Sequence, residues 1–115
     1  MHEVSLVESL FDQVDRAIGR HPPASVREVT VRIGALAGVE PTLFRTAFDG
    51  LRSERGYAEA SLRIEDVAAT WRCSGCGRAI EGGEALECPA CEGRVGLASG
   101  GEIILARVEL EVSDV

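Results

Sequence analysis

An α+β fold is predicted for this chain of 115 residues: a three-stranded sheet with two helices on one face, plus an inserted four-cysteine zinc-ribbon lobe. Three observations predict it. Two segments carry apolar residues at helical spacing, three carry them at alternate positions, and the four cysteines fall between the last two alternating segments.

In residues 4–20, Val4, Val7, Leu10, Phe11, Val14, Ala17 and Ile18 recur at intervals of three and four. They form one apolar stripe, with Glu8, Asp12, Asp15 and Arg16 on the opposite side of an amphipathic helix. Gly19 and the run His21-Pro22-Pro23 end it. Between Val26 and Ala35 the period drops to two: Val29, Val31, Ile33 and Ala35 alternate with Thr30, Arg32 and Gly34, the pattern of a half-buried strand.

The small residues from Gly34 to Glu40 read as a turn, and Pro41 suits the first position of a second helix. That helix carries Leu43, Phe44, Ala47, Phe48 and Leu51 and ends before Gly56. Leu62 and Ile64 alternate with Arg63 and Glu65 in a second strand leading to Trp71 and the first cysteine pair. In the last strand Ile104, Ala106, Val108, Leu110 and Val112 are expected on the core face, with Ile103 and Leu105 packing beneath the metal lobe.

The cysteines form the pairs Cys73-x-x-Cys76 and Cys88-x-x-Cys91, eleven residues apart. Each pair lies in a turn-like setting, Cys73-Ser74-Gly75-Cys76-Gly77 and Cys88-Pro89-Ala90-Cys91-Glu92-Gly93. Two such turns can converge four thiolates into the tetrahedron that a structural zinc ion prefers. Disulfides suit secreted proteins, but the start Met1-His2-Glu3-Val4-Ser5 lacks the features of an export signal. A redox pair usually comes as one C-x-x-C, not two. Iron remains open, because four thiolates suit it as well. Metal-holding thiols also fit a reducing cytoplasm, the expected location.

The expected division places residues 1–69 and 99–115 in the helix-and-sheet domain and residues 70–98 in the inserted lobe. A lobe this small cannot bury enough surface to fold alone, so the metal would supply the missing stability. The net charge is -7, and all twelve basic residues are arginine. In the lobe, Arg72, Arg78 and Arg94 face Glu81, Glu84, Glu87 and Glu92, and four thiolates with zinc add a formal -2. An acidic lobe argues against nucleic-acid binding. No apolar run approaches the ~20 residues of a membrane span.

The amino terminus is a second candidate site. The Met1 amine, the His2 backbone nitrogen and the His2 Nδ1 can close two fused chelate rings in one plane. Planar nitrogen donors favour Ni(II) or Cu(II) over zinc. Glu3 can add its backbone nitrogen, or support His2 through its carboxylate. Taken alone, a His at position 2 is more often just a solvated terminal residue. His21, beside two prolines, reads as an exposed loop residue. No nucleophile, base and orienter set for catalysis is found.

Taken together, Met1-His2-Glu3-x-Ser5-Leu6, Ile33-Gly34-x-Leu36-x-Gly38-Val39-x-Pro41, Ala47-Phe48, the cysteine pairs with Cys88-Pro89-x-Cys91, and Gly101-Glu102-Ile103 span the chain. This combination resembles the HypA/HybF family of hydrogenase nickel-incorporation proteins. The resemblance implies a metallochaperone, not an enzyme, with Ni(II) as transient cargo at His2 and the Met1 amine and with Glu3 supporting. It implies structural Zn(II) on Cys73, Cys76, Cys88 and Cys91. It further implies delivery, with a HypB-type GTPase, to the large-subunit precursor of a [NiFe] hydrogenase; a homodimer is left open. Protonation of the terminal nitrogens would compete with nickel, so affinity should fall with pH.

Departures from the family pattern are small. Ala37 stands where Ser is common, and Glu92 stands where Gly often follows the last cysteine, leaving the exact turn there open. No histidine lies between residues 70 and 98, so a histidine-driven switch at the lobe is absent. Two other readings keep their own discriminators. A zinc-ribbon adaptor would dock partners through its acidic surface and ignore nickel. A rubredoxin-like electron carrier would be coloured.

Overall fold

A computed structural model describes residues 2–81 and 87–112. Helix α1 spans His2–Ile18, and a single 3-10 turn, Pro23–Ser25, leads into strand β1, Val26–Gly34. Helix α2 spans Pro41–Leu51 and strand β2 Ser61–Val67. Three short strands follow, β3 (Thr70–Cys73), β4 (Ala79–Ile80) and β5 (Val95–Ser99), before the long β6, Ile103–Leu110.

Two separate sheets result, in the orders β2-β1-β6 and β4-β3-β5. In the first, β1 runs parallel to β2 and antiparallel to β6. In the second, β3 is antiparallel to both neighbours. The predicted three-stranded sheet is therefore present. A second small sheet, built on the residues around the cysteines, was not anticipated.

α1 buries Val7, Leu10, Phe11, Val14 and Ile18, and α2 buries Phe44 and Phe48. These side chains pack on Val26, Val29, Val31, Ile33 and Leu62 of the sheet. Stacked rings fill the centre, with Phe11 5.0 Å from Phe48 and 5.2 Å from Tyr57. Burying a large aromatic side chain of this kind stabilises by roughly 2–3 kcal/mol. Tyr57, fully buried in the turn after α2, donates its hydroxyl to Asp15 Oδ1 at 2.5 Å. Arg55 grips the same edge of α1, bonding Asp12 at 2.8 Å and Asp15 at 3.2 Å.

Several expected positions differ. Val4, Ala17 and Leu43, placed in apolar stripes, lie on the exposed side, and Ala35 falls in the turn after β1. The largest correction concerns β6. Its core-facing residues are Val108 and Leu110, then Ile103 and Leu105; Ile104 and Val112 are exposed. The cause is one extra residue: Thr30 pairs with Arg107 while Val31 pairs with Leu105, so Ala106 is bulged and the alternation changes phase. Ile103 and Leu105 thus pack on the main core, not beneath the metal lobe. A similar shift between Val26 and Glu28 lets Val26 face inward together with Val29.

The connections between the sheets are tight. Gly34 N–H donates to Glu102 O at 2.9 Å and Leu36 N–H to Gly100 O at 2.8 Å. A Cβ on Gly34 would stand 2.2 Å from the Gly100 carbonyl carbon, so no other residue fits without moving that backbone.

Candidate metal centre

Each cysteine pair is shaped by backbone hydrogen bonds of the same pattern. In the first knuckle Gly77 N–H donates to Cys73 O at 3.0 Å, and Cys73 N–H to Arg78 O at 2.9 Å. In the second, Glu92 N–H donates to Cys88 O at 2.9 Å, and Cys88 N–H to Gly93 O at 2.8 Å. The residue closing each turn takes a left-handed conformation, φ 78° at Gly77 and φ 62° at Glu92. The turn left open by the sequence is thus the same turn, imposed on a residue with a Cβ. Ser74 joins the knuckles, its N–H 2.8 Å and its Oγ 3.0 Å from Arg94 O.

The four predicted sulfurs are brought together, all within 4.8 Å of one another. Cys73 Sγ lies 3.3 Å from Cys91 Sγ, and Cys76 Sγ lies 3.8 Å from Cys88 Sγ. These separations exceed the ~2.05 Å of a disulfide. The 3.8 Å pair matches the edge of a tetrahedron with metal–sulfur bonds of ~2.3 Å, which is about 3.8 Å, and the 3.3 Å pair is tighter. The donor set therefore fits one tetrahedral ion. Cys73 and Cys88 are buried while Cys76 and Cys91 face solvent.

Electrostatics favour a cation here. Cys73 Sγ accepts from Cys76 N at 3.4 Å and from Gly75 N at 3.3 Å. These amides, the Cys76 N–H foremost, pull its thiol down to about 6. The Ala90 N–H, 3.4 Å from Cys88 Sγ, lowers that thiol in the same way. Cys91 is the counterpart: the Gly93 N–H lowers it, but the sulfurs of Cys73 and Cys76 outweigh this and push it up to about 12. Without a cation, the four sites cannot all ionise together; a bound divalent metal removes that conflict.

In the helix-and-sheet unit, His2 opens α1 and is exposed; Met1 lies outside the described residues. The first backbone N–H groups of a helix lack intrahelical acceptors, so the His2 nitrogen sits where a ligand can reach it. The Glu3 carboxylate is held below its ordinary range, first by its own backbone N–H and further by the Glu40 N–H, 3.5 Å from Oε2. Glu40 caps α2 through Oε1, 3.2 Å from Thr42 N. The structure thus adds Glu40, read from the sequence only as part of a turn, to the surroundings of Glu3. Its sequence signal was the acidic N-cap preceding Pro41. His21 is exposed, as expected.

A family model described as hydrogenase/urease nickel incorporation, metallochaperone, HypA, matches residues 1–110. The hydrogenase maturation factor HypA of Shewanella halifaxensis is 34% identical over 113 residues, covering 96% of this chain and 98% of its own. The protein of that name from Aquifex aeolicus is 34% identical over 114 residues, covering 97% and 99%. The solution structure of the Ni metallochaperone HypA from Helicobacter pylori is similar in fold, with a TM-score of 0.74 at 24% identity over 96% of this chain and 98% of that one. A second HypA solution structure gives 0.78 at 26% identity, covering 96% and 97%. No helix among the described residues is long and apolar enough to cross a membrane. A match running from the first residue through β6, together with the clustered thiolates, places the chain in the HypA family of hydrogenase/urease nickel-incorporation metallochaperones, maturation factors and not enzymes.

Proposed function

We propose that the chain carries Ni(II) on its amino terminus and hands it to the large-subunit precursor of a [NiFe] hydrogenase, acting with a HypB-type GTPase in the cytoplasm. The cargo ligands are the Met1 amine and His2, with Glu3 supporting. Cys73, Cys76, Cys88 and Cys91 hold structural Zn(II) in an inserted domain, residues 70–98, while residues 1–69 and 99–115 form the nickel-binding domain. The observation that carries the reading is the exposed His2 at the start of α1, in a chain whose family model covers the terminus.

The two sites differ in the way their tasks require. Four sulfurs closed around one ion leave no position for exchange, which suits a permanent structural metal. A terminal chelate with few donors and an exposed imidazole can load and release. Glu3, anchored against Glu40 N, limits the motion of the first helical turn and so keeps His2 oriented.

Isothermal titration of the zinc-loaded native chain with Ni(II), beside a His2→Ala variant and a form with residues added before Met1, tests this. One equivalent should bind the native protein with a planar spectroscopic signature, and both altered forms should lose it. Equal stoichiometry and affinity in all three would reject the terminal site. Metal analysis of the untagged protein decides between zinc and iron in the sulfur cluster.

A further inference from the structure

The four sulfurs of the cluster are not equally protected. Cys73 Sγ accepts from Gly75 N at 3.3 Å and from Cys76 N at 3.4 Å, and Cys88 Sγ accepts from Ala90 N at 3.4 Å. Both of these sulfurs are buried. Amide donors draw charge from a thiolate and burial keeps reagents away, so these two are the guarded positions. Cys76 and Cys91 face solvent. Oxidation of cysteine follows thiolate character and exposure, and an oxidant therefore meets the outer pair first.

Cys91 has, in addition, a close partner and an open approach. Its Sγ lies 3.3 Å from Cys73 Sγ, whereas Cys76 Sγ lies 3.8 Å from Cys88 Sγ. Each of these pairs joins one knuckle to the other, and neither lies within a single C-x-x-C. Two glycines flank the closer pair. A Cβ on Gly75 would stand 3.5 Å from Cys91 Sγ and 3.6 Å from Cys73 Sγ, and a Cβ on Gly93 would stand 3.2 Å and 2.8 Å from the same two sulfurs. On those sides bare backbone is the only wall among the described residues, and a side chain would cover the pair. Gly75 lies outside the left-handed region and its added Cβ would meet the sulfurs at ordinary contact distance. A larger residue therefore fits there without backbone strain, and the glycine leaves the sulfurs open to small molecules.

We propose that the Cys73–Cys91 edge of the cluster is a hydroperoxide-sensitive switch that opens the lobe. The Cys91 thiolate attacks the peroxide: an S–O bond forms, the O–O bond breaks and hydroxide leaves. The Cys73 thiolate then attacks the Cys91 sulfur, which forms the S–S bond and expels a second hydroxide. Solvent protons turn both hydroxides into water, and two electrons have passed from the two sulfurs to the peroxide. Two of the four donors are thereby withdrawn from the ion, which the remaining two sulfurs do not hold. The β4-β3-β5 sheet loses its support, while the helix-and-sheet unit keeps its own core. A reducing thiol reverses the bond by exchange and lets the ion return. The switch rests on the reading of the four sulfurs as one metal site, and it acts through the scaffold, not through the amino terminus.

Hydrogen peroxide, added in modest excess to the zinc-loaded full chain, tests this, with released zinc read by a chromogenic chelator. The bound zinc should be released, and dithiothreitol with added zinc should restore it. Trypsin, cutting after Arg72, Arg78 and Arg94, parts Cys73 and Cys76 from Cys88 and Cys91. Once the remaining thiols are alkylated, peptides 73–78 and 79–94 should appear as one linked species, and fragmentation should place the first bond between Cys73 and Cys91. Gly75→Val, which covers the pair, should slow the release about threefold or more. A chain that takes up no zinc sinks both the metal-site reading and the switch, whereas one that takes it up and keeps it under peroxide sinks the switch alone. Disulfides confined within each C-x-x-C, a first bond between Cys76 and Cys88, sulfinic acid without any disulfide, or release from Gly75→Val at the native rate also overturn the switch. Should the valine variant not hold zinc, the peptide map of the native chain still decides.

Discussion

At the scale of single residues, the second cysteine knuckle holds a Glu where the first holds a Gly. Glu92 sits at φ 62° beside Gly77 at φ 78°, and a side chain in the left-handed region costs about 1 kcal/mol. Because folding of the lobe and metal binding are coupled, Glu92→Gly should raise the affinity of the four-sulfur site for its metal about fivefold in a chelator competition. Gly77→Ala should lower it by a similar factor, through strain alone, since nothing lies within 4 Å of the added Cβ. Gly93→Ala should do more harm, because its Cβ would stand 2.8 Å from Cys73 Sγ. A loss smaller than that of Gly77→Ala would show that the sulfur can move aside. Tyr57 offers a separate test. Burial first, then its bond to Asp15, raises its phenol above the ordinary value, so the folded state favours the neutral form. That stability is fully present below about pH 10 and is lost as pH rises toward the higher folded value. Tyr57→Phe should cost about 1 kcal/mol at neutral pH and make urea unfolding less sensitive to pH above about 10. Identical pH slopes in the two proteins would show that the phenol does not carry that dependence.

At the scale of elements, periodicity succeeded where the backbone is regular. The stripes of α1 and α2 named Phe11, Val14, Phe44 and Phe48, and all four are buried. It failed on β6, where one bulged residue reverses the faces; Ile104 was expected inside and is exposed while Leu105 packs inward. A bulge carries no signature in hydrophobic alternation when both faces are apolar, as they are from Ile103 to Ala106. Tyr57 escaped notice because it reaches the core from a turn, and the two-residue β4 is too short to show a period. The cysteine cluster was legible because chemistry fixes its spacing, whereas the approach of Glu40 to Glu3 is a contact that only the fold creates. The bulge gives its own prediction. Deleting Ala106 would remove the bulge, make Thr30–Arg107 and Val31–Leu105 consecutive pairs and keep Ile103 and Leu105 on the core side, so stability should change by no more than about 1 kcal/mol. Unfolding in urea would measure it, and a loss of about 2 kcal/mol or more would show that the bulge itself is needed for the faces to pack.

At the scale of the molecule, stability is unevenly distributed. Every buried apolar side chain among the described residues belongs to the helices, the β2-β1-β6 sheet or the turn around Tyr57, except Cys73 and Cys88. The β4-β3-β5 sheet pairs Trp71 with Ile80 and Leu97, but Leu97 is exposed and the other two are only half-buried. The lobe therefore rests on its four sulfurs and the ion they bind, while the helix-and-sheet unit rests on its own core. Chelation should separate the two. Amide protons bonded within the knuckles, those of Cys73, Ser74, Cys88 and Glu92, should lose hydrogen-exchange protection when the metal is removed. Those of Val29 and Val31 in the central strand should keep theirs, and the helical circular dichroism should persist. The junction would mark the limit of melting, since Gly34 and Leu36 bond Glu102 and Gly100 from the side of the stable sheet. Loss of protection throughout the chain on chelation would show instead that the metal holds both units in one cooperative structure, and that the tight Gly34–Gly100 crossing transmits its removal to the first helix.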